Sequence, residues 1–200
     1  MLAPQTYTTE KLEDHLQSAP ARALLKKWTH WRGTEIAPKR SQILIEELGE
    51  ALRQVVMVEF TSPEKCRFLL AGSGLVNLQG LDFTGLNFYD MAAPDERDLR
   101  MRRLHEAENQ PCGTYSIQPG TSSEGAYLST DLTAFPIFPD GPGGAMRCLC
   151  VSVPLVTVSH QSPVQDSQII RIAEEFRYID IGAGLPDETA ELFCHPPLSL

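Results

Sequence analysis

Hydrophobic positions along the chain change period several times, and each change marks a different element. Near the amino end Leu12 and Leu16 lie four apart, behind a Thr9 suited to cap a turn that carries Glu10 and Glu13. Pro20 forbids an unbroken continuation, so a second helix restarts there. Its apolar positions Leu24, Trp28 and Trp31 follow the i, i+4, i+7 rule, Lys26, Lys27 and Arg32 favour its carboxyl end, and Gly33 stands where a left-handed cap belongs. This stripe must cover something apolar: the domain's own sheet, a second subunit, or a ligand stacked on the two rings.

A short helical pattern over residues 43–52, interrupted by Gly49, runs into Val55-Val56-Met57-Val58-Glu59-Phe60, a β-branched run that predicts a strand. Thr61-Ser62-Pro63-Glu64 is a turn, and residues 66–71 return as the second strand of a hairpin. Small pieces follow, anchored by Leu75, Val76 and Leu78 and then by Phe88, Tyr89 and Met91, with Gly80 and Asp82-Phe83-Thr84-Gly85 as stops. Pro94, Asp95 and Glu96 predict a helix start, and the helix reaches Asn109 with a thin apolar face of Leu99, Met101, Leu104 and Ala107. Beyond Pro111 the pattern becomes extended, giving three antiparallel strands over residues 113–118, 126–138 and 144–158. Residues 169–181 match both helical and extended templates, and Pro196-Pro197 ends the chain as a frayed tail.

Composition narrows the class. Two hundred residues with 42% hydrophobic and 22% charged side chains suit one globular domain with modest appendages. A formal charge of -9 repels nucleic acid and anionic lipid, so neither is expected as a partner. The longest weakly polar run, residues 148–158, is far below the roughly 20 residues of a spanning helix, and no basic-then-apolar leader opens the chain, so a cytoplasmic protein is expected. Five cysteines (Cys66, Cys112, Cys148, Cys150 and Cys194) without C-x-x-C spacing argue for reduced thiols and against a disulfide framework or a zinc site.

The order helix, two strands, short helices, one longer helix and three strands is that of the PAS fold, and four local motifs sharpen the likeness. The chain resembles a bacterial subfamily of stand-alone single-domain PAS proteins. The motifs are a tryptophan helix ending near Pro38-Lys39-Arg40-Ser41, a strand Phe68-Leu69-Leu70-Ala71-Gly72-Ser73, a turn Asp82-Phe83-Thr84-Gly85 and a tail Ile179-Asp180-Ile181-Gly182-Ala183-Gly184. Together they span about 150 residues. Leu69 replaces the usual basic residue of that strand and Ser73 the usual threonine, which marks a divergent member. The resemblance implies an α+β domain with a five-stranded antiparallel PAS-like sheet flanked by helices over residues 41–160. A helical extension over 1–40 precedes it, and a tail over 161–200 packs on or trails it. It also implies a cavity between sheet and helices. Strand alternation with position 69 outward places Phe68 and Leu70 at that cavity, together with Phe88, Leu104 and Tyr115, although ordinary core filling would use the same residues.

Candidates for chemistry are few. His105 lies on the helix that supplies the axial ligand in haem-binding PAS sensors, but Arg102, Arg103 and Glu106 flank it, which argues against haem. An Asn-Cys-Arg type photosensor motif is missing, which argues against a flavin adduct. Cys148 and Cys150 share one strand face with Met146 and Ser152, as core filling or a soft metal half-site lacking its other half. Cys194-His195 has no orienting feature, Gly182-Ala183-Gly184 is followed by Asp187 where a dinucleotide loop needs glycine, and Gly72-Ser73-Gly74 lacks the spacing of a hydrolase elbow. The expectation is therefore no catalytic residue and no metal site. The chain is expected to be a sensory and regulatory protein, binding a small apolar or aromatic molecule and acting on a signalling partner or through self-association such as a homodimer. Leu24, Trp28 and Trp31 would be its interaction helix. The alternative is a ligand-free adaptor with a filled core.

Overall fold

The computed structural model describes residues 7–8, 12–14, 16–123, 127–158 and 175–186. Thr9 as a cap, residues 169–174 and Cys194-His195 lie outside these. The elements are β1 (Tyr7–Thr8), α1 (Ala19–Arg32), 3-10 turns at Arg40–Gln42 and Ile45–Gln54, β2 (Val55–Ser62), β3 (Lys65–Ala71), α2 (Ser73–Gln79) and a 3-10 turn at Phe88–Met91. After these come α3 (Arg97–Asn109), β4 (Gly113–Thr121), β5 (Tyr127–Ile137), β6 (Arg147–Val158) and β7 (Glu175–Asp180). The sheet runs β1-β7-β4-β5-β6-β2-β3, antiparallel throughout except for the parallel pair β1 and β7. The expected five strands are its β4-β5-β6-β2-β3 portion, and β7 extends it beside β4. The segment that matched both helical and extended templates is thus a strand over 175–180.

Both faces of the central strands are covered, so period-2 alternation sorts their side chains into two cores. Val55, Tyr115, Phe135, Ile137, Leu149, Val151 and Ile179 pack under α1 with Leu24, Leu25, Trp28 and Trp31. Val56, Val58, Phe60, Ala134, Cys148 and Cys150 face the other way, toward Leu75, Phe83 and Tyr89. Helix α1 begins at Ser18, whose Oγ accepts from the Ala21 N–H at 3.2 Å, with Pro20 in the first turn. Trp28 is its anchor: fully buried, stacked on Phe135 with ring centroids 4.8 Å apart, and donating from Nε1 to the Pro136 carbonyl at 2.9 Å. Gly113 makes room for that stack, since a Cβ there would stand 2.9 Å from the Phe135 ring.

Two local readings shift. The pattern over 43–52 forms 3-10 turns bent at Gly49 (φ 54°, ψ -125°), a conformation that interrupts the helix. The second long helix starts at Arg97 rather than Pro94, because residues 93–96 close a turn through the Glu96 N–H to the Ala93 carbonyl at 2.9 Å.

A buried carboxyl sits under the start of α1. Asp131 is fully buried on β5, accepts from Thr133 Oγ1 at 3.1 Å, and is raised above its ordinary 3.8 by burial, against hydrogen bonds from Thr133 and Ser18 and the charge of Arg22. A carboxyl raised in the fold contributes stability that is full below 3.8 and is lost as pH rises through the raised value. Asp131→Asn should therefore flatten the rise in stability on acidification across that window, as read from urea midpoints at several pH values. Trp28→Ala should cost about 3–5 kcal/mol, measured by urea unfolding followed by circular dichroism.

Candidate functional site

The second core is not filled. A cavity of about 110 Å³ lies between the sheet and the elements that cover it. Its floor is Val56 and Val58 of β2, Leu132 and Ala134 of β5, Cys148, Cys150 and Ser152 of β6, and Thr114 and Gln118 of β4. Its roof is Leu75 and Gln79 of α2, Phe83, Phe88 and Met91 of the linking turns, and Leu104 and Ala107 of α3. One end is an aromatic cluster in which Phe68 meets Phe83 edge-on at 4.7 Å and Phe88 at 5.5 Å. Asn87 holds the roof to the hairpin, its Oδ1 accepting from the Cys66 N–H at 3.0 Å while its amide donates to the Glu64 carbonyl at 3.2 Å.

Of the five side chains assigned to the cavity from sequence, Phe68, Phe88 and Leu104 line it. Leu70 does not. A register shift pairs Met57 with Leu70 but Val58 with Phe68, so one extra residue, Leu69, bulges out of the ladder and reverses the phase of β3. Ala71 then packs toward the second core, while Leu70 is 36% exposed. Tyr115 is the second correction: it packs in the first core, under α1. On β4 the polar set Thr114, Ser116 and Gln118 takes the cavity side, and the apolar Tyr115 and Ile117 take the helix side. Leu24, Trp28 and Trp31 are likewise buried against the sheet, at 0%, 0% and 6% exposure, so these three side chains are core and not an open interaction surface. Sequence reasoning overlooked the polar residues Gln79, Thr114, Gln118 and Ser152. The available signal was the spacing Cys148, Cys150, Ser152, a stripe of small side chains along one strand face.

Electrostatically the cavity is quiet. Among the described residues no lysine, arginine, histidine, aspartate or glutamate lines it. Its thiols are held protonated: burial first, then nearby Asp180 and Glu106, pushes Cys112 up to about 12, and burial with neighbouring thiols drives Cys148 and Cys150 upward as well. Such thiols are soft packing groups rather than nucleophiles. Charge collects instead on α3, behind the lining. Arg100 is buried with its guanidinium 4.7 Å over the Phe88 ring, and desolvation lowers it to about 10. His105 meets Tyr89 edge-on at 6.2 Å and is not among the cavity-lining side chains. Among the described residues no three His, Cys, Asp or Glu side chains gather to hold a metal ion. No helix among them is long and apolar enough to cross a membrane.

Comparison with solved structures finds the light-state structure of the blue-light photoreceptor Aureochrome1 LOV, 15% identical with a TM-score of 0.41, over 57% of this chain and 90% of that one. A second, from work in which a flavin analogue sheds light on the light-oxygen-voltage domain mechanism, is 17% identical with a TM-score of 0.45, over 56% of this chain and 84% of that one. No curated protein matches the chain. A family model for the PAS domain matches residues 16–149, which takes in α1, the whole hairpin, the cavity roof, β4, β5 and the start of β6. This chain belongs to the PAS domain family.

Proposed function

We propose that this protein is a sensory and regulatory PAS domain that binds a small apolar or aromatic molecule in its cavity and signals through protein contact or a change in association. The observation that carries this reading is a cavity with no charged side chain among its described lining residues, one wall of which is tied through β7 to α1. That wall is α3, which contributes Leu104 and Ala107 to the lining and buries only Arg100 and Ala107 along its length. With few fully buried side chains, α3 is a wall that can yield to an occupant.

Strand β7 meets α3 with one face and α1 with the other. Toward α3, Arg103 lies 4.2 Å over the Phe176 ring, Tyr178 Oη donates to Glu106 at 2.6 Å, and Gln110 donates to the Ala183 carbonyl. Toward α1, Ile179 and Ile181 join the core around Leu24 and Trp28, and Arg32 donates to the Ile181 carbonyl at 2.6 Å. The Asp180 carboxylate accepts from the Gly182 and Gly184 N–H groups at 2.7 and 3.1 Å, which stiffens the turn between these two attachments. A ligand that binds one pose of α3 better than another would bias α1 through this strand, in proportion to its differential affinity.

The lining supports regulation rather than turnover, since it offers thiols held protonated, neutral amides and hydroxyls, and no acid or base matched to neutral pH. Both tryptophans of the chain lie on α1, so emission excited selectively at tryptophan reports that helix. Saturating the protein with toluene, a neutral probe of cavity size, should shift the emission of Trp28 and Trp31. Tyr178→Phe should cut that shift by about half while leaving toluene affinity within about twofold. Emission unmoved by bound toluene would sink the coupling route.

A further inference from the structure

We infer that the occupant of the cavity is an uncharged single-ring molecule bearing a hydrogen-bonding group, and that Gln118 and Gln79 recognise that group. This inference rests on the sensory reading above and narrows its ligand. Size is the first argument. The cavity measures about 110 Å³, somewhat less than the apolar cavity of about 150 Å³ that accepts benzene in another protein. One ring with small substituents fits that volume, and a fused multi-ring system exceeds it.

Charge is the second. An ionic ligand would surrender its hydration to walls that offer no opposite charge.

Polarity within the cavity is the third: Gln79, Gln118 and Ser152 gather toward one end, with Thr114 midway. Strand register sets Leu132 directly between Ser116 and Ser152, with Gln118 two residues further along the same face of β4. Helix α2 is tied to this same end, since the Ser123 N–H just beyond β4 donates to the Leu78 carbonyl at 2.9 Å, which brings the neighbouring Gln79 to it. The other end is the cluster of Phe68, Phe83 and Phe88. Gln118 donates one amide hydrogen to Ser116 Oγ at 3.1 Å, which fixes the plane of its amide. Its second N–H and its carbonyl oxygen remain for a ligand, so the site suits a group that both donates and accepts, such as a phenolic hydroxyl.

Calorimetric titration of the whole chain at neutral pH with toluene, phenol and benzoate tests this. Toluene and phenol should bind, and benzoate should bind at least about 100-fold more weakly than phenol. Gln118→Leu and Gln79→Leu should each lower the ratio of phenol affinity to toluene affinity about fivefold, because the hydroxyl then lacks its partner while the ring keeps its contacts. Retained toluene binding shows that each variant is folded, and two variants guard against the loss of either. A ratio unmoved in both variants, or benzoate bound as tightly as phenol, would overturn the recognition by the amides and leave the sensory reading intact. Failure of the native chain to bind any of the three would overturn both.

Discussion

The structure depends on one constraint: the central strands β4, β5, β6 and β2 are covered on both faces, so their side chains divide between two layers, and the two layers receive different volumes. Toward α1 go Tyr115, Phe135, Leu149 and Val151, large or branched side chains that mesh with Leu24 and Trp28. Toward the other helices go Thr114, Ala134, Cys148, Cys150 and Ser152, which are small, interspersed with Val56, Val58 and Leu132. A sheet with a bulky face and a lean face packs to full density on one side and leaves space on the other. The cavity is thus a consequence of side-chain choice along the strands rather than of any special loop. It also leaves van der Waals contacts unmade in the lining, so the empty state is less stable than a filled core would be.

The same asymmetry explains what could be read from sequence. The strands and long helices follow from periodicity, and the Trp28 stripe points to an apolar surface, which proves to be the sheet of the same chain. Face assignment fails where alternation carries no information on which side is which. On β4 the apolar residues Tyr115 and Ile117 do face a core, but it is the core beneath α1. On β3 the single extra residue at Leu69 leaves no mark in composition and reverses everything after it. Gln79 and Gln118 were invisible as site residues because a glutamine in a strand or a short helix ordinarily faces water; only the strand register and the tie between Ser123 and Leu78 bring them to one end of the cavity.

Helix α3 shows how an unusually charged element can serve as a wall. Its attachments are mostly polar or cation–π: Arg97 to Asp90, Arg100 over Phe88, Arg103 over Phe176 and Glu106 to Tyr178. Contacts of this kind fix orientation with a modest contribution to stability, whereas the Trp28 side of the molecule is held by dense apolar packing. Helix α3 is thus held by a different kind of contact from α1, with the sheet between them.

The borders of the sheet carry a consequence of their own. At the β3 border, the segment through Gly85, Leu86 and Asn87 occupies backbone groups of Phe68 and Cys66. At the opposite border, β1 pairs with the end of β7, and the rest of β7 presents Glu175 and Arg177, an ion pair with N–O at 3.8 Å. Covered on one side and charged on the other, these borders discourage β-augmentation, in which a partner or a second copy adds a strand of its own.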